Sequence, residues 1–352
     1  MMPTKTVNIL VPRNNTRDVL AIEVMLSALA DDARDLRLRL VGRAGARHFQ
    51  IQGTSSAVAN AQSLLRHAYP QCDFEEDKQL GLEAATIDGS ERRPSSMVRR
   101  LAYLKLREPA YLPIRTAVSR DGRITNDDLA QGADPMLGVL AAMDGLQEAE
   151  TCAVDISLKP MPGDWGKYWR GTTSDVGERA KFTPQALAAV LLLSGGGMLL
   201  MFGIVFLVAA VALRTSVTPG LIGVSLIAFG AAAIYLRFRL PSPPDPVLIK
   251  QKTSNTAFRA CIQLAVTATS EARAYQYLDA MLVAYRAYNL SGGNGFVALK
   301  DAPHFREQAW PILNTAELAA VWHLPHGSAV LQGIHNHSQV VNTAHRLDAR
   351  NR

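Results

Sequence analysis

The sequence predicts an α+β protein in which ferredoxin-like α/β units are interrupted by an inserted two-helix transmembrane hairpin. Three observations carry that expectation. Runs of alternating apolar and polar residues recur on both sides of the chain's middle, as half-buried strands require. Segments with helical apolar spacing separate them. The uncharged apolar sequence is concentrated between Pro184 and Leu236. The overall apolar fraction of 48% is ordinary, so placement rather than amount is informative.

The first elements are read in chain order. "TVNILVPR" opens as a strand, and "DVLAIEVMLSALADD" places Val19, Ile22, Leu26 and Leu29 on one helical face. "LRLRLVG" and "RHFQIQG" alternate as a hairpin around Gly42–Gly45. "SSAVANAQSLLRHAYP" is a Ser-capped helix ending before Pro70, and "CDFEED" is a further strand. The order β-α-β-β-α-β defines a ferredoxin-like domain over residues 1–88.

Residues 89–100, containing "ERRPSSMVRR", form the expected polar linker. A second α/β domain then covers residues 101–183 plus 245–345. In it "YLPIRTAV" is read as a strand and "DPMLGVLAAMDGL" as a helix. "TCAVDISLKP" is a strand pointing Cys152, Val154, Ile156 and Leu158 inward. Past the hairpin, "AFRACIQLAV" alternates through Phe258, Ala260, Ile262, Leu264 and Val266. A helix follows from Ser270, with Leu278, Leu282, Tyr285 and Tyr288 inward, and then the strand "GFVALKD". Tyr275, Tyr277, Tyr285 and Tyr288 fit core packing better than a stacking platform, because they satisfy the amphipathic pattern.

The hairpin occupies residues 184–240, with spans at about 186–213 and 219–236. Both spans lack charge and a polar face. Lys167, Arg170, Arg179 and Lys181 precede the hairpin, and Arg237, Arg239, Lys250 and Lys252 follow it. The connecting turn has only Arg214. The positive-inside rule then predicts a multi-pass protein of the inner or plasma membrane, with both soluble parts cytoplasmic and lipid as a partner. Gly195, Gly196, Gly197 and Gly203 allow close helix approach, and the absence of ionisable groups points to an anchor.

The net charge of +6 permits an acidic partner, and Glu91–Arg100 is the nearest candidate for touching nucleic acid. The widely spaced Cys72, Cys152 and Cys261 offer no disulfide framework or metal knuckle, and the N-terminus lacks a signal-peptide core. "GDWGK" and "GGNGFVALK" depart from a phosphate loop: Met161 replaces the first glycine and Tyr168 the Ser/Thr. His323, His326, His335 and His337 have no nearby thiol or carboxylate in "GSAVLQGI" to complete a zinc site. No catalytic, cofactor or metal residue is nominated, so an enzyme is not expected.

The stretch "ILNTAELAAVWHLP" remains. Asn314 and Glu317 have the spacing of a capping box, Leu318, Val321 and Trp322 can face inward, and Pro325 ends the helix. Leu313, Glu317, Leu318, Ala319, Trp322, His323, Leu324 and Pro325 also match a segment preceding the phosphate-binding loop in another group. That group is the membrane-associated ATPases of conjugation and type IV secretion, the HerA-like and coupling ATPases. "VNILVPRNN", "AYPQCDFE", "DPMLGVLAAMDGLQEAETCAVDISLKPMPGDW" and "FRACIQLAVTATSEARAYQYLDAMLVAYRAYN" resemble it in the same order. The resemblance is to the N-terminal, non-catalytic part of the family. It implies hexamer-forming partners, namely a P-loop ATPase or secretion-machine subunits, and a homo-oligomer. Asn314, Glu317, Leu318, Trp322, His323 and Pro325 then form a structural or interaction motif. With no Walker motif before Arg352, the expected role is a membrane-anchored docking scaffold of a DNA-transfer machine. The alternatives are a membrane-anchored nucleic-acid-binding protein and a fragment of a full-length ATPase.

Overall fold

The computed structural model describes residues 4–11, 15, 17, 19–29, 33–34, 36–77, 97–116, 134–167, 169, 197–205, 207–209, 217–239, 246–302 and 305–325. They divide into two compact units. One comprises residues 1–166 and 251–352, and the other residues 167–250.

The first unit is built on one antiparallel sheet of nine strands. Its first half runs β1 (Thr4–Leu10), α1 (Val19–Leu29), β2 (Arg37–Arg43), β3 (Ala46–Thr54), α2 (Ser55–Ala68) and β4 (Asp73–Glu76). Its second half runs β5 (Val98–Leu106), α3 (Pro135–Ala141), β6 (Thr151–Pro160), β7 (Ala257–Ala268), α6 (Glu271–Tyr285) and β8 (Phe296–Lys300). The other unit supplies α4 (Val217–Arg239), and α5 (Pro246–Thr253) leads out of it. A short β9 (Ile312–Asn314) pairs with the start of β7 and leads into α7 (Thr315–Val321).

The strand order is β4-β1-β3-β2-β6-β7-β5-β8. Each half runs β-α-β-β-α-β, and the order of one half is the reverse of the other about the β2–β6 seam. There Leu38 faces Ile156, Arg39 faces Asp155 and Leu40 faces Val154. Residues 167–250 are thus inserted between β6 and β7, at the place where the first half has its β2–β3 turn. That turn needs Gly45, whose φ of +69° lies in the left-handed region.

One core cluster joins the inward residues of both halves to α1, α2, α3, α6 and α7. Val7, Ile9, Leu38, Leu40, Phe49 and Ile51 come from the first half; Val154, Ile156, Phe258, Ile262 and Leu264 come from the second. Val41, Ala153 and Ala265, with Leu101 against them, form a small cluster on the opposite face. Cross-strand register also places Asn8, Gln50, Arg39, Asp155, Gln263 and Tyr103 in one polar row on that face. The Arg39–Asp155 ion pair there is buried and lies on the seam.

The transmembrane expectation is corrected. Among the described residues no helix is long and apolar enough to cross a membrane. In the first apolar run the described helical residues are 197–205 and 207–209, and residues 186–196 lie outside the described set. Apolar residues counted along the sequence do not by themselves make one helix able to cross ~30 Å of hydrocarbon. The predicted spans, multi-pass topology and membrane location fall with that expectation. Of the glycines read as close-approach positions, Gly203 is one, since a Cβ there would lie 2.7 Å from the Gly223 carbonyl oxygen; Gly197 has nothing within 4 Å, and Gly195 and Gly196 lie outside the described residues.

Three local readings also change. β5 begins at Val98, inside the expected linker, because "VRRLAYLKL" pairs between β7 and β8. Conversely, "YLPIRTAV" is not a strand over residues 111–116, and its remainder lies outside the described residues. The two stretches expected to be separate domains hydrogen-bond into one sheet.

Candidate functional site

The segment Asn314–Pro325 is built into the first unit through almost every polar group it carries. Asn314 ends β9 with extended backbone (φ −77°, ψ 172°), and its side chain accepts from the Glu317 N–H, while Glu317 accepts from the Asn314 N–H in return. That reciprocal capping box follows from the Asn-x-x-Glu spacing. It also fixes the Glu317 carboxylate in the protein interior, at 0% exposure.

The carboxylate then joins three chain segments. It accepts from the Ile114 N–H at 2.8 Å and from the Asn314 N–H at 2.9 Å, and pairs with Lys252 Nζ at 3.0 Å. Lys252 is equally buried; its Nζ donates to the Leu112 carbonyl at 3.1 Å, and its own carbonyl accepts from Asn314 Nδ2 at 3.2 Å. Burial pushes the Lys252 ammonium below its ordinary pKa, with the Glu317 carboxylate opposing that shift. Satisfying the remaining acceptors with backbone N–H groups makes such a pair tolerable in a core.

A second buried pair lies at the other end of α7. His323 Nε2 is 2.8 Å from Asp134 Oδ2, and Nδ1 is 3.0 Å from the Ala319 carbonyl. Both ring nitrogens thus face acceptors, which the doubly protonated imidazolium satisfies. Burial pulls the His323 pKa down, but the Asp134 charge and hydrogen bond outweigh it and raise the net value. Burial likewise raises Asp134, and His323 outweighs it and brings it below the usual carboxylate range. Asp134 also caps α3 by accepting from the Met136 N–H at 2.8 Å, with Pro135 at the first helical position.

Apolar and terminal groups complete the attachment. Leu318 is fully buried in the main core. Trp322 meets Phe49 edge-on at 6.0 Å and donates from Nε1 to the Arg39 carbonyl on β2 at 3.3 Å. Tyr288 donates to the Ala320 carbonyl at 3.0 Å. The buried Asn15 side chain donates to the carbonyls of Leu324 and Pro325 at 3.3 and 3.0 Å. Residues 15, 39, 49, 114, 134, 252 and 288 thus converge on one short segment.

The six residues nominated from sequence, Asn314, Glu317, Leu318, Trp322, His323 and Pro325, are therefore brought together. His326, His335 and His337 lie outside the described residues. Among the described residues no group of three or more His, Cys, Asp or Glu side chains could hold a metal ion.

Sequence reasoning missed the partners. Asp134 could have been found as an N-cap, since "DP" precedes an apolar helical run. Lys252 counted as a flanking positive charge and instead lies in the core. A third arrangement also went unseen: Glu150 takes Arg273 Nε and Nη2 at 2.7 and 2.6 Å, with Thr269 and Gln147 as further donors. The Arg273 hydrogen bonds, more than the opposing burial, bring its carboxyl to about 2. Of the charge-rich stretch Glu91–Arg100, only residues 97–100 are described, and Val98–Arg100 belong to β5.

No protein-family model matches the chain, and no curated protein matches it.

Proposed function

We propose that this chain is a docking scaffold for a P-loop ATPase of a conjugative or type IV secretion-like machine. Its role is to hold the motor in fixed register, whether the motor is part of the same polypeptide or another. The reading drops the membrane anchor and keeps the resemblance carried by Asn314–Pro325. One observation supports it most: the segment that precedes the motor in the resembling family is tied down as far as the Pro325 carbonyl, which accepts from Asn15 Nδ2. A segment locked by two buried ion pairs transmits position better than a tethered loop would.

The test uses purified chain and the P-loop ATPase core of secretion type encoded in the same genome. The pair is mixed at micromolar concentration and followed by size-exclusion chromatography with light scattering. Co-elution is expected, and Asn15→Ala, which removes the donor to the buried Leu324 and Pro325 carbonyls, should weaken it in a chain that circular dichroism shows still folded. Separate elution of the two proteins overturns the proposal.

A further inference from the structure

The sheet ends in two very different edge strands. At one edge β4 is four residues long and carries Asp73, Glu75 and Glu76, charges that discourage another chain from pairing. At the other edge lies β8, with β5 on its inner side and no strand beyond it among the described residues. Its run Phe296–Leu299 is uncharged and apolar, and Val297 is 37% exposed. The one charge on β8, Lys300, is held by Asp279 of α6 at 2.6 Å. None of the features that guard β4 is repeated here.

Hydrogen bonding fixes which groups this edge presents. The Asp301 N–H donates to the Leu101 carbonyl at 2.8 Å, and the Arg107 N–H donates to the Gly295 carbonyl at 2.9 Å. Alternation in an antiparallel ladder then turns the N–H and C=O groups of Val297 and Leu299 toward β5. Those of Phe296, Ala298 and Lys300 point the other way, out of the sheet. Phe296 and Ala298 pack their side chains on the core, while Val297 and Leu299 lie on the opposite face beside Lys105 and Tyr103.

Such a line of outward donors and acceptors is completed by another strand, and β8 itself fits. A two-fold axis through Ala298 sets Ala298 against its own copy, Phe296 against Lys300 and Val297 against Leu299. That register alone pairs both strands over their full length, and it covers each exposed Val297 with Leu299 of the second copy. Sliding one way brings Lys300 against Lys300, a like-charge pair that costs stability. Sliding the other way runs β8 toward Gly292, whose φ of +74° takes the chain out of extended conformation.

We infer that β8 is a self-docking edge, on which two copies of this chain pair antiparallel about Ala298 and continue one sheet into the other. The contact is separate from the docking of a motor and does not rest on it.

The test is light scattering of the purified full chain between about 1 and 100 µM, since two short strands make a small interface with a dissociation constant in the micromolar range. A monomer–dimer equilibrium is expected. Ala298→Pro removes an outward N–H and no bond to β5, so the variant stays folded by circular dichroism. The two-fold axis doubles the loss, and dimerisation should weaken by about tenfold or more. Glu76→Pro makes the same kind of change on the outward side of β4 and should leave the dimer intact.

Cysteine cross-linking reads the register. Ala298→Cys places two Cα atoms about 5.5 Å apart across the axis, inside disulfide range, whereas Val297→Cys leaves them about 8 Å apart. Mild oxidation should give a covalent dimer from Ala298→Cys and none from the more exposed Val297→Cys, with wild type as background. A chain still monomeric at about 100 µM overturns the inference. So does a dimer indifferent to Ala298→Pro, or equal cross-linking by the two cysteine variants. Loss of co-elution with the ATPase core in an Ala298→Pro variant of a monomeric chain would give this edge to the motor, and overturns the inference as well.

Discussion

Glu317→Gln removes one charge from the interior with almost no change in volume, so its cost can be worked out from three hydrogen-bond partners. The carboxylate accepts from Ile114 N–H, Asn314 N–H and the Lys252 ammonium. Glutamine keeps one accepting oxygen and turns an NH2 group toward the remaining donors. A buried donor left unsatisfied costs ~1–3 kcal/mol. Breaking a buried ion pair on one side costs ~3–5 kcal/mol, because the other charge stays behind. The two terms overlap, since the ammonium is itself one of the donors, and the expected loss is ~4 kcal/mol. That is a large share of the ~5–15 kcal/mol by which domains are stable.

Urea unfolding followed by tryptophan fluorescence at neutral pH measures the loss, and pH supplies an independent check. Burial already lowers the folded Lys252 pKa from 10.5, with Glu317 opposing that effect. Without Glu317 it falls further, so between the folded and unfolded values the unfolded chain binds more protons. Stability of the variant therefore rises with pH across that interval, and its deficit against wild type should shrink by about pH 9.5. Adding Lys252→Met to Glu317→Gln should recover part of the loss, because no charge then remains buried. A deficit under ~1 kcal/mol at neutral pH, or one that ignores pH, would refute the assignment of Glu317–Lys252 as a structural charge pair.

Two further outcomes are expected. The raised His323 pKa contributes stability that is complete below the ordinary 6.5 and fades as pH rises through the folded value; the lowered Asp134 pKa contributes above 3.8 and fades on acidification. Nuclear magnetic resonance titration should find His323 above 6.5 in wild type and below it in Asp134→Asn; a wild-type value at or under 6.5 contradicts the pairing. Burial also raises the thiols of Cys72, Cys152 and Cys261 to about 12. An aromatic disulfide reagent at mildly alkaline pH should leave all three intact in the folded chain and label all three in urea, whereas fast labelling of the folded protein would show them accessible as thiolates.

Local order was readable where one pattern dominated. Cys152, Val154, Ile156 and Leu158 face the core as their alternation requires, and Ser270 caps α6 where the helical period begins. Asn314 and Glu317 close their capping box because that interaction spans only three residues. Long-range pairing was not readable: nothing in Arg39 announces Asp155, and nothing in Glu317 announces Lys252, because such partners are fixed by how distant elements pack and not by spacing. Ala102 and Leu104 lie in a strand whose first residues, Val98–Arg100, carry the polarity of a linker, so composition masked β5. The apolar middle misled for a related reason, since hydropathy reports how apolar a run is and not how much continuous helix it makes.

The reversed strand order has a consequence for biosynthesis. The first half of the sheet is synthesised before β6 exists, so the β2 edge, with Leu38, Leu40 and Val41, must wait for its neighbour. An unpaired strand edge of that kind recruits other chains. The finished sheet no longer offers it: one terminal strand is now β4, only four residues long and carrying Asp73, Glu75 and Glu76. The vulnerable period for this protein is therefore the interval on the ribosome between β2 and β6, when each nascent chain holds an open edge that the mature fold keeps at its centre.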